Sequence, residues 1–211
     1  VLFTLPSFFF FINHNYGFKK TIRFIFISIS PLIILNFSTF IFLGKDALEA
    51  PYKFHLVRTF NGESTWDALN LKFLVNKFPF LPKFLIIVTS ILGFLKKPRN
   101  ISDLAESSVL AITGFASSLV FYSPQFFLWI LSAATFVKNK RIIFLTCTLC
   151  FFSYIYFPIA AKIQDIHQIN FLFYKMMILI VTILRILIIF DLISGIKFTR
   201  PNGRVLFDRE K

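Results

Sequence analysis

Two long apolar runs set the strongest limit on the fold of this chain. They cover residues 21–43 and 171–194 and contain few charged side chains. Each is longer than the roughly 20 apolar residues that cross a bilayer core in a helix. Hydrophobic residues make up 56% of the chain, and the mean hydropathy is +0.74. A soluble domain of this composition would leave large apolar patches in water, so we expect lipid to cover them.

The net charge of +13 could indicate nucleic acid as a partner. A nucleic-acid binder, however, gathers its cations on one face with aromatic residues between them. Here the cations flank the apolar runs, where they are suited to anionic lipid headgroups. The predicted headgroup anchors are Lys19, Lys20, Arg23, Lys138, Lys140 and Arg141. The sequence therefore predicts lipid partners and no nucleic acid.

The number of membrane spans follows from the apolar runs and from the charges between them. The predicted spans are residues 21–43, 108–137, 142–161 and 171–194. Lysines and prolines interrupt residues 71–95, which form either a fifth span or an interfacial helix. Four spans place all six anchors and the basic tail on one side and leave Lys162 in the opposite short loop, so the positive-inside rule favours four. The predicted fold class is an all-α, polytopic membrane protein with four or five spans. Residues 1–211 form a single domain, in which residues 44–107 are a long extramembrane loop.

Local signals predict several details of the helices. Pro31 removes a backbone hydrogen bond and should kink the first span, and Ser28 or Ser30 can satisfy the freed carbonyl. Ser64 with Asp67 three positions later predicts the capped start of a short helix. A turn is expected at Asn61-Gly62. The predicted span at residues 108–137 either crosses with a large tilt or has a break at Ser123-Pro124.

Small residues are scarce, which limits close helix crossing. The best stripe of small residues in the predicted spans is formed by Ala111, Gly114, Ser117 and Ser118. If the chain has a tight helix contact, we expect it there.

Arg185 is the charged residue nearest the middle of a predicted span. An arginine at the centre of a membrane helix costs about 2.5–3.5 kcal/mol by insertion measurements. It should therefore face a partner subunit, a water-filled cavity or, after snorkelling, a lipid phosphate. Asp191 lies six positions later, on a different face of the helix. Arg185 could also act as the essential arginine of a rotary proton channel.

Residues for catalysis or cofactor binding are not recognised in the sequence. Apart from Asp191, the four predicted spans contain no Asp or Glu, whereas proton-pumping subunits need a series of such groups. Facing pairs of histidines for haem are missing, as are a Walker loop and a dinucleotide fingerprint. We therefore predict no catalytic, cofactor-binding or metal-binding residues, with structural phospholipid such as cardiolipin as the expected ligand.

A family resemblance rests on composition over the whole chain, on the run Phe8-Phe9-Phe10-Phe11, on residues 184–190 and on the first residue, Val1. Val1 fits either a non-standard start codon or an incomplete terminus. In these features the chain resembles the divergent, Phe- and Ile-rich membrane subunits of respiratory complexes that protist, especially ciliate, mitochondrial genomes encode. The resemblance implies an inner-membrane protein whose partners are other membrane subunits and lipids, and no functional residue is carried over from it.

The expected function is that of a non-catalytic structural subunit of a mitochondrial inner-membrane respiratory complex. NADH:ubiquinone oxidoreductase is the first candidate because such assemblies contain the most small hydrophobic subunits encoded in organelles. This expectation rests on class membership and not on a site. One alternative is a proton-channel subunit of ATP synthase with Arg185 at the rotor. Another is an independent transporter or translocase component.

Overall fold

The computed structural model describes residues 2–56, 64–120, 126–155 and 171–196, and in these ranges it is helical and contains no strand. A 3₁₀ turn at Leu2–Thr4 precedes the first helix. The helices, in chain order, are α1 (Leu5–Tyr16), α2 (Phe18–Leu56), α3 (Thr65–Ala68), α4 (Lys72–Lys77), α5 (Leu81–Leu95), α6 (Ile101–Ser118), α7 (Phe126–Ala134), α8 (Lys140–Tyr154) and α9 (Phe171–Ser194). The predicted all-α class is confirmed for these residues.

Among the described residues, two helices are long and apolar enough to cross a membrane. They are Phe18–Ala50 of α2 and Phe173–Ser194 of α9, which contain most of the predicted spans 21–43 and 171–194. The predicted span 142–161 corresponds to α8, and its last residues lie outside the described ranges. The count of four or five spans stays a prediction.

Two forms were predicted for the span at residues 108–137, a tilted continuous helix and a broken one. The continuous helix is wrong, because this stretch is divided between α6 and α7. The rings of Phe115 and Phe126 lie 5.7 Å apart. At the other end of the two helices, Ser102 Oγ accepts a hydrogen bond from the backbone N–H of Lys138 at 2.9 Å. Helices α6 and α7 therefore form an antiparallel hairpin. The expected break at Ser123-Pro124 lies outside the described residues.

The bend in α2 lies at Gly44 and not at the predicted Pro31. Gly44 has φ 81° and ψ 179°, a conformation open to glycine and strained for other residues, whereas the helical dihedral angles continue through Pro31. Ser30 Oγ donates to the carbonyl of Ile27 at 3.1 Å. That carbonyl is the one that the missing N–H of Pro31 leaves open, so the predicted role of Ser30 is confirmed.

Helices α5 and α6 cross closely at small residues. A Cβ added at Gly114 would overlap the side chain of Thr89, and one at Gly93 would lie 3.0 Å from the carbonyl oxygen of Ser107. Ala111 and Ser118 of the predicted stripe are buried as well. The tight contact expected at this stripe is confirmed.

Residues 44–107, predicted as a long extramembrane loop, are mostly helical. After Gly44, α2 continues to Leu56, where Glu49 forms ion pairs with Lys45 at 3.5 Å and Lys53 at 2.7 Å. Such i,i+4 pairs stabilise a polar helix. Whether this segment lies outside the membrane stays a prediction.

The same segment contains three shorter helices. The predicted start of α3 is confirmed, since Ser64 Oγ accepts a hydrogen bond from the N–H of Asp67 at 3.2 Å. The turn expected at Asn61-Gly62 lies outside the described residues. Residues 71–95 divide into α4 and α5 around Pro79, and whether α5 crosses the membrane stays a prediction.

The core lies where α6, α8 and α9 pack together. Its fully buried apolar side chains include Leu110 of α6, Leu149 of α8 and Ile188 of α9. Helix α7 adds Ile130 to this core. None of the described side chains of α2 belongs to this core, and the main neighbour of α2 is α1. The structure therefore combines a packed helical body with one long helix, α2, whose apolar side chains are largely exposed.

Candidate functional site

Arg185 lies in the middle of α9 and is completely buried, with 0% of its surface exposed. Its Nε donates to the carbonyl oxygen of Val181 at 3.3 Å, and its Nη2 donates to Thr182 Oγ1 at 2.9 Å. Thr182 is buried to the same extent. Both of these contacts are made within α9. Whether a partner subunit, a water-filled cavity or a lipid also faces Arg185 stays a prediction.

Contacts at the end of α9 fix its register against α6. Lys96 Nζ lies 3.0 Å from Glu106 Oε2 and donates to the carbonyl oxygen of Leu192 at 3.2 Å. The start of α6 is thus beside the end of α9, and the two helices are antiparallel. Arg185 precedes Leu192 by seven residues, and Thr113 follows Glu106 by seven residues. Because the helices are antiparallel, the two steps run in the same direction. Both steps cover about 10 Å, so Thr113 lies near the depth of Arg185.

The register of α8 brings a second threonine to this depth. Arg141 Nε lies 3.2 Å from Asp191 Oδ2, so α8 begins beside the end of α9. Thr146, five residues after Arg141, is level with the middle of α9. Thr113 and Thr146 are completely buried, and within the described ranges neither hydroxyl has a hydrogen-bond partner. We call the four residues Thr113, Thr146, Thr182 and Arg185 the polar layer.

The four side chains of the polar layer cannot relay protons by themselves. Threonine hydroxyls accept hydrogen bonds from a guanidinium or from water, and an arginine in a protein stays protonated. The nearest carboxylates of α6 and α9 lie at the helix ends, where Glu106 pairs with Lys96 and Asp191 pairs with Arg141. Asp191 thus faces away from Arg185, as the spacing of the two residues predicts.

The six predicted headgroup anchors lie at one end of the helical body, which we call the basic end. Here α1, α5 and α9 finish and α6 and α8 begin. Asn15 Nδ2, at the end of α1, donates to the carbonyl oxygen of Arg99 at 3.1 Å, which brings the start of α2 beside the start of α6. The cations of the basic end are Lys19, Lys20, Arg23, Lys96, Lys97, Arg99, Lys138, Lys140 and Arg141, and all except Lys96 are exposed.

Lys96, Lys97 and Arg99 were missed as members of the basic end. A topology of four spans places them in the long loop on the opposite side, because it does not count residues 71–95 as a span. A signal for them was present. The run Lys96-Lys97-Pro98-Arg99 directly follows the apolar helix α5, which is the same pattern of cations after an apolar run that identified the other anchors.

Among the described residues, no group of three or more His, Cys, Asp or Glu side chains could hold a metal ion. Comparison with known proteins gives no relative: no protein-family model, curated protein or solved structure matches the chain. The polar layer and the basic end are therefore the features from which function can be inferred.

Proposed function

We propose that this chain is a non-catalytic structural subunit of a mitochondrial inner-membrane respiratory complex, with NADH:ubiquinone oxidoreductase as the first candidate. The membrane assignment depends on one observation, the exposed apolar surface of α2. None of its apolar window is buried in the protein, and Phe26 and Phe42 are 70% and 81% exposed. Burying one such side chain is worth about 1.5–3 kcal/mol, so α2 needs lipid or another subunit around it.

The dimensions of the helices and the distribution of charge fit a bilayer. From Phe18 to Gly44, α2 rises about 40 Å, which exceeds the hydrocarbon core of about 30 Å. Helix α9, with 24 residues, is long enough as well. Both helices have one terminus at the basic end, where exposed cations would meet anionic headgroups. This arrangement supports a multi-pass protein with its basic end on the matrix side.

The non-catalytic part of the proposal rests on the polar layer. Its groups are one arginine and three threonines, and the carboxylates nearby are engaged with cations at the basic end. Because arginine stays protonated and threonine does not titrate, these four side chains do not form a proton path by themselves. The respiratory and mitochondrial parts rest on the compositional resemblance described above.

The two alternative functions receive less support from the geometry. A rotor-facing arginine must be accessible from outside the subunit, whereas Arg185 is 0% exposed and is hydrogen-bonded within α9. An independent transporter needs a polar pathway through its body. The buried side chains of α6, α8 and α9 are apolar except for the polar layer and serines such as Ser107, Ser118 and Ser153.

Alkaline carbonate washing of mitochondria, followed by mild detergent extraction, native gels and mass spectrometry, tests the proposal. We expect the chain to stay in the washed membranes and to migrate with subunits of one respiratory complex. Release by carbonate would contradict the membrane assignment. Retention in the membrane with migration as an isolated chain would contradict the assembly but not the membrane assignment.

A further inference from the structure

An apolar groove of about 570 Å³ lies between the N-terminal turn, α1, α6 and α7. We call it the lateral groove. Its walls include Phe8 of α1, Leu104 and Phe115 of α6, and Trp129 and Phe136 of α7. Along α6 it extends from Ile101 to Phe115, a rise of about 21 Å. One leaflet of a bilayer core is about 15 Å thick, so the groove is long enough for an acyl chain that crosses one leaflet.

Two of the hydroxyl groups in the walls of the groove are directed into their own helices. Ser108 Oγ donates to the carbonyl oxygen of Leu104 at 2.8 Å, and Ser132 Oγ donates to that of Leu128 at 2.7 Å. Their hydrogens are therefore not offered to an occupant of the groove. A hydrocarbon chain fits such walls, whereas a polar ligand would lose its hydrogen bonds with water and gain few in return.

One mouth of the groove opens at the basic end. Ile101 and Phe136 mark this mouth, and the hydrogen bond between Ser102 Oγ and the N–H of Lys138 lies directly beside it. Arg99 and Lys138 are exposed there. The acidic residue beside them is Asp103, whose Oδ2 accepts hydrogen bonds from Asn100 Nδ2 at 3.0 Å and from the N–H of Arg99 at 3.4 Å. The two exposed cations at this mouth thus outnumber the carboxylate of Asp103, which is already hydrogen-bonded at the start of α6.

We propose that the lateral groove holds an acyl chain of an anionic phospholipid whose phosphate lies between Arg99 and Lys138. The proposal rests on the membrane assignment made above and deepens it. The apolar walls recognise the chain, and the cations at the mouth recognise the charge of the headgroup. Phosphatidylglycerol and cardiolipin have this chemistry, whereas a zwitterionic lipid carries no net negative charge for the two cations to attract.

Native mass spectrometry of the purified, delipidated full chain in detergent tests the proposal, with phosphatidylglycerol and phosphatidylcholine of identical acyl chains as probes. We expect phosphatidylglycerol to bind more tightly. Because a cation near an anionic lipid is worth about 1 kcal/mol, the double substitution Arg99→Gln/Lys138→Gln should weaken phosphatidylglycerol binding by about 30-fold. It should leave phosphatidylcholine binding unchanged. The control Lys77→Gln/Lys83→Gln removes the same charge elsewhere and should have no effect.

A second pair of variants tests the groove itself. Ser132→Trp fills the groove from an exposed position on α7, so the fold should be retained, and it should abolish binding of both lipids. Thr135→Trp, at the residue that directly follows α7 and outside the groove, should bind as the wild type does. Equal binding of the two lipids, or unchanged binding after Arg99→Gln/Lys138→Gln or Ser132→Trp, would overturn the proposal. If the chain resists carbonate extraction but binds neither lipid, only the groove site is refuted. If carbonate releases the chain, the membrane assignment is refuted.

Discussion

Lys96 and Glu106 form an ion pair of 3.0 Å in which the side chain of Lys96 is only 8% exposed and that of Glu106 is 21% exposed. Lys96 also donates to the carbonyl oxygen of Leu192, close to the end of α9. One cation thus joins the end of α5, the first turns of α6 and the last turn of α9. It fixes the register that places the polar layer at a single depth.

Removing Lys96 should destabilise the protein more than removing an exposed lysine. The substitution Lys96→Met leaves Glu106 charged and largely buried, and breaking a buried pair in this way costs about 3 kcal/mol. The matched control Lys45→Met removes a partner of Glu49 whose side chain is 75% exposed, and should change stability by less than about 1 kcal/mol. Thermal unfolding in detergent measures both. Equal losses for the two variants would contradict the bridging role of Lys96.

Gly114→Ala should separate α5 from α6. The added methyl group would overlap the side chain of Thr89, and overpacking of this kind costs about 1–3 kcal/mol. Gly195→Ala is the control, since its Cβ would lie 3.6 Å from the nearest atom, an ordinary contact. Unfolding midpoints of the two variants test the crossing. A Gly114→Ala protein as stable as the wild type would show that the helices do not approach so closely.

Trp66→Phe should weaken the attachment of α3 to α6. The indole Nε1 of Trp66 donates to the carbonyl oxygen of Ser118 at 2.9 Å, in a buried setting at the end of α6. Its loss leaves that acceptor unsatisfied, at about 1–3 kcal/mol. Trp129, which is 47% exposed, provides the control Trp129→Phe, with an expected change below about 1 kcal/mol. Urea unfolding distinguishes the two, and a reversed order of stability would contradict the contact.

Substitutions of Arg185 separate a structural arginine from a proton-channel arginine. Arg185→Ala leaves a cavity in the core and should cost about 2–5 kcal/mol, with loss of the chain from its assembly. Arg185→Met fills most of the same space and should retain the assembly. Abundance of the complex on native gels, together with proton-pumping rates of the membranes, measures both. Proton flow abolished by Arg185→Met in a fully assembled complex would contradict the structural role.

Local residue patterns predicted several details of the fold correctly. The cap at Ser64 and the hydrogen bond from Ser30 to the carbonyl of Ile27 depend on residues within four positions of each other, so the sequence contains the whole signal. The small residues around Gly114 predicted a close crossing because little else in the chain permits one. The identity of the partner helix, α5, required the structure.

Features that depend on distant residues were not predictable in the same way. Residues 108–137 carry no charge and are mostly apolar, and hydropathy does not distinguish one tilted span from a hairpin of two shorter helices. The bend at Gly44 depends on a positive φ angle that composition does not reveal. Within the polar layer, Arg185 was identified from its charge, but Thr113 and Thr146 come to its depth only through the register of three separate helices.

Photo-crosslinking from the exposed apolar surface of α2 in native membranes is the most direct test of the proposed function. A photoreactive phenylalanine analogue at position 37, where Phe37 is 63% exposed, should capture another subunit of a respiratory complex or a phospholipid. The same group in place of Leu149, which is fully buried, should react only within the chain. Capture of this chain's own helical body from position 37 would contradict the account, because α2 would then need neither membrane nor partner to cover it.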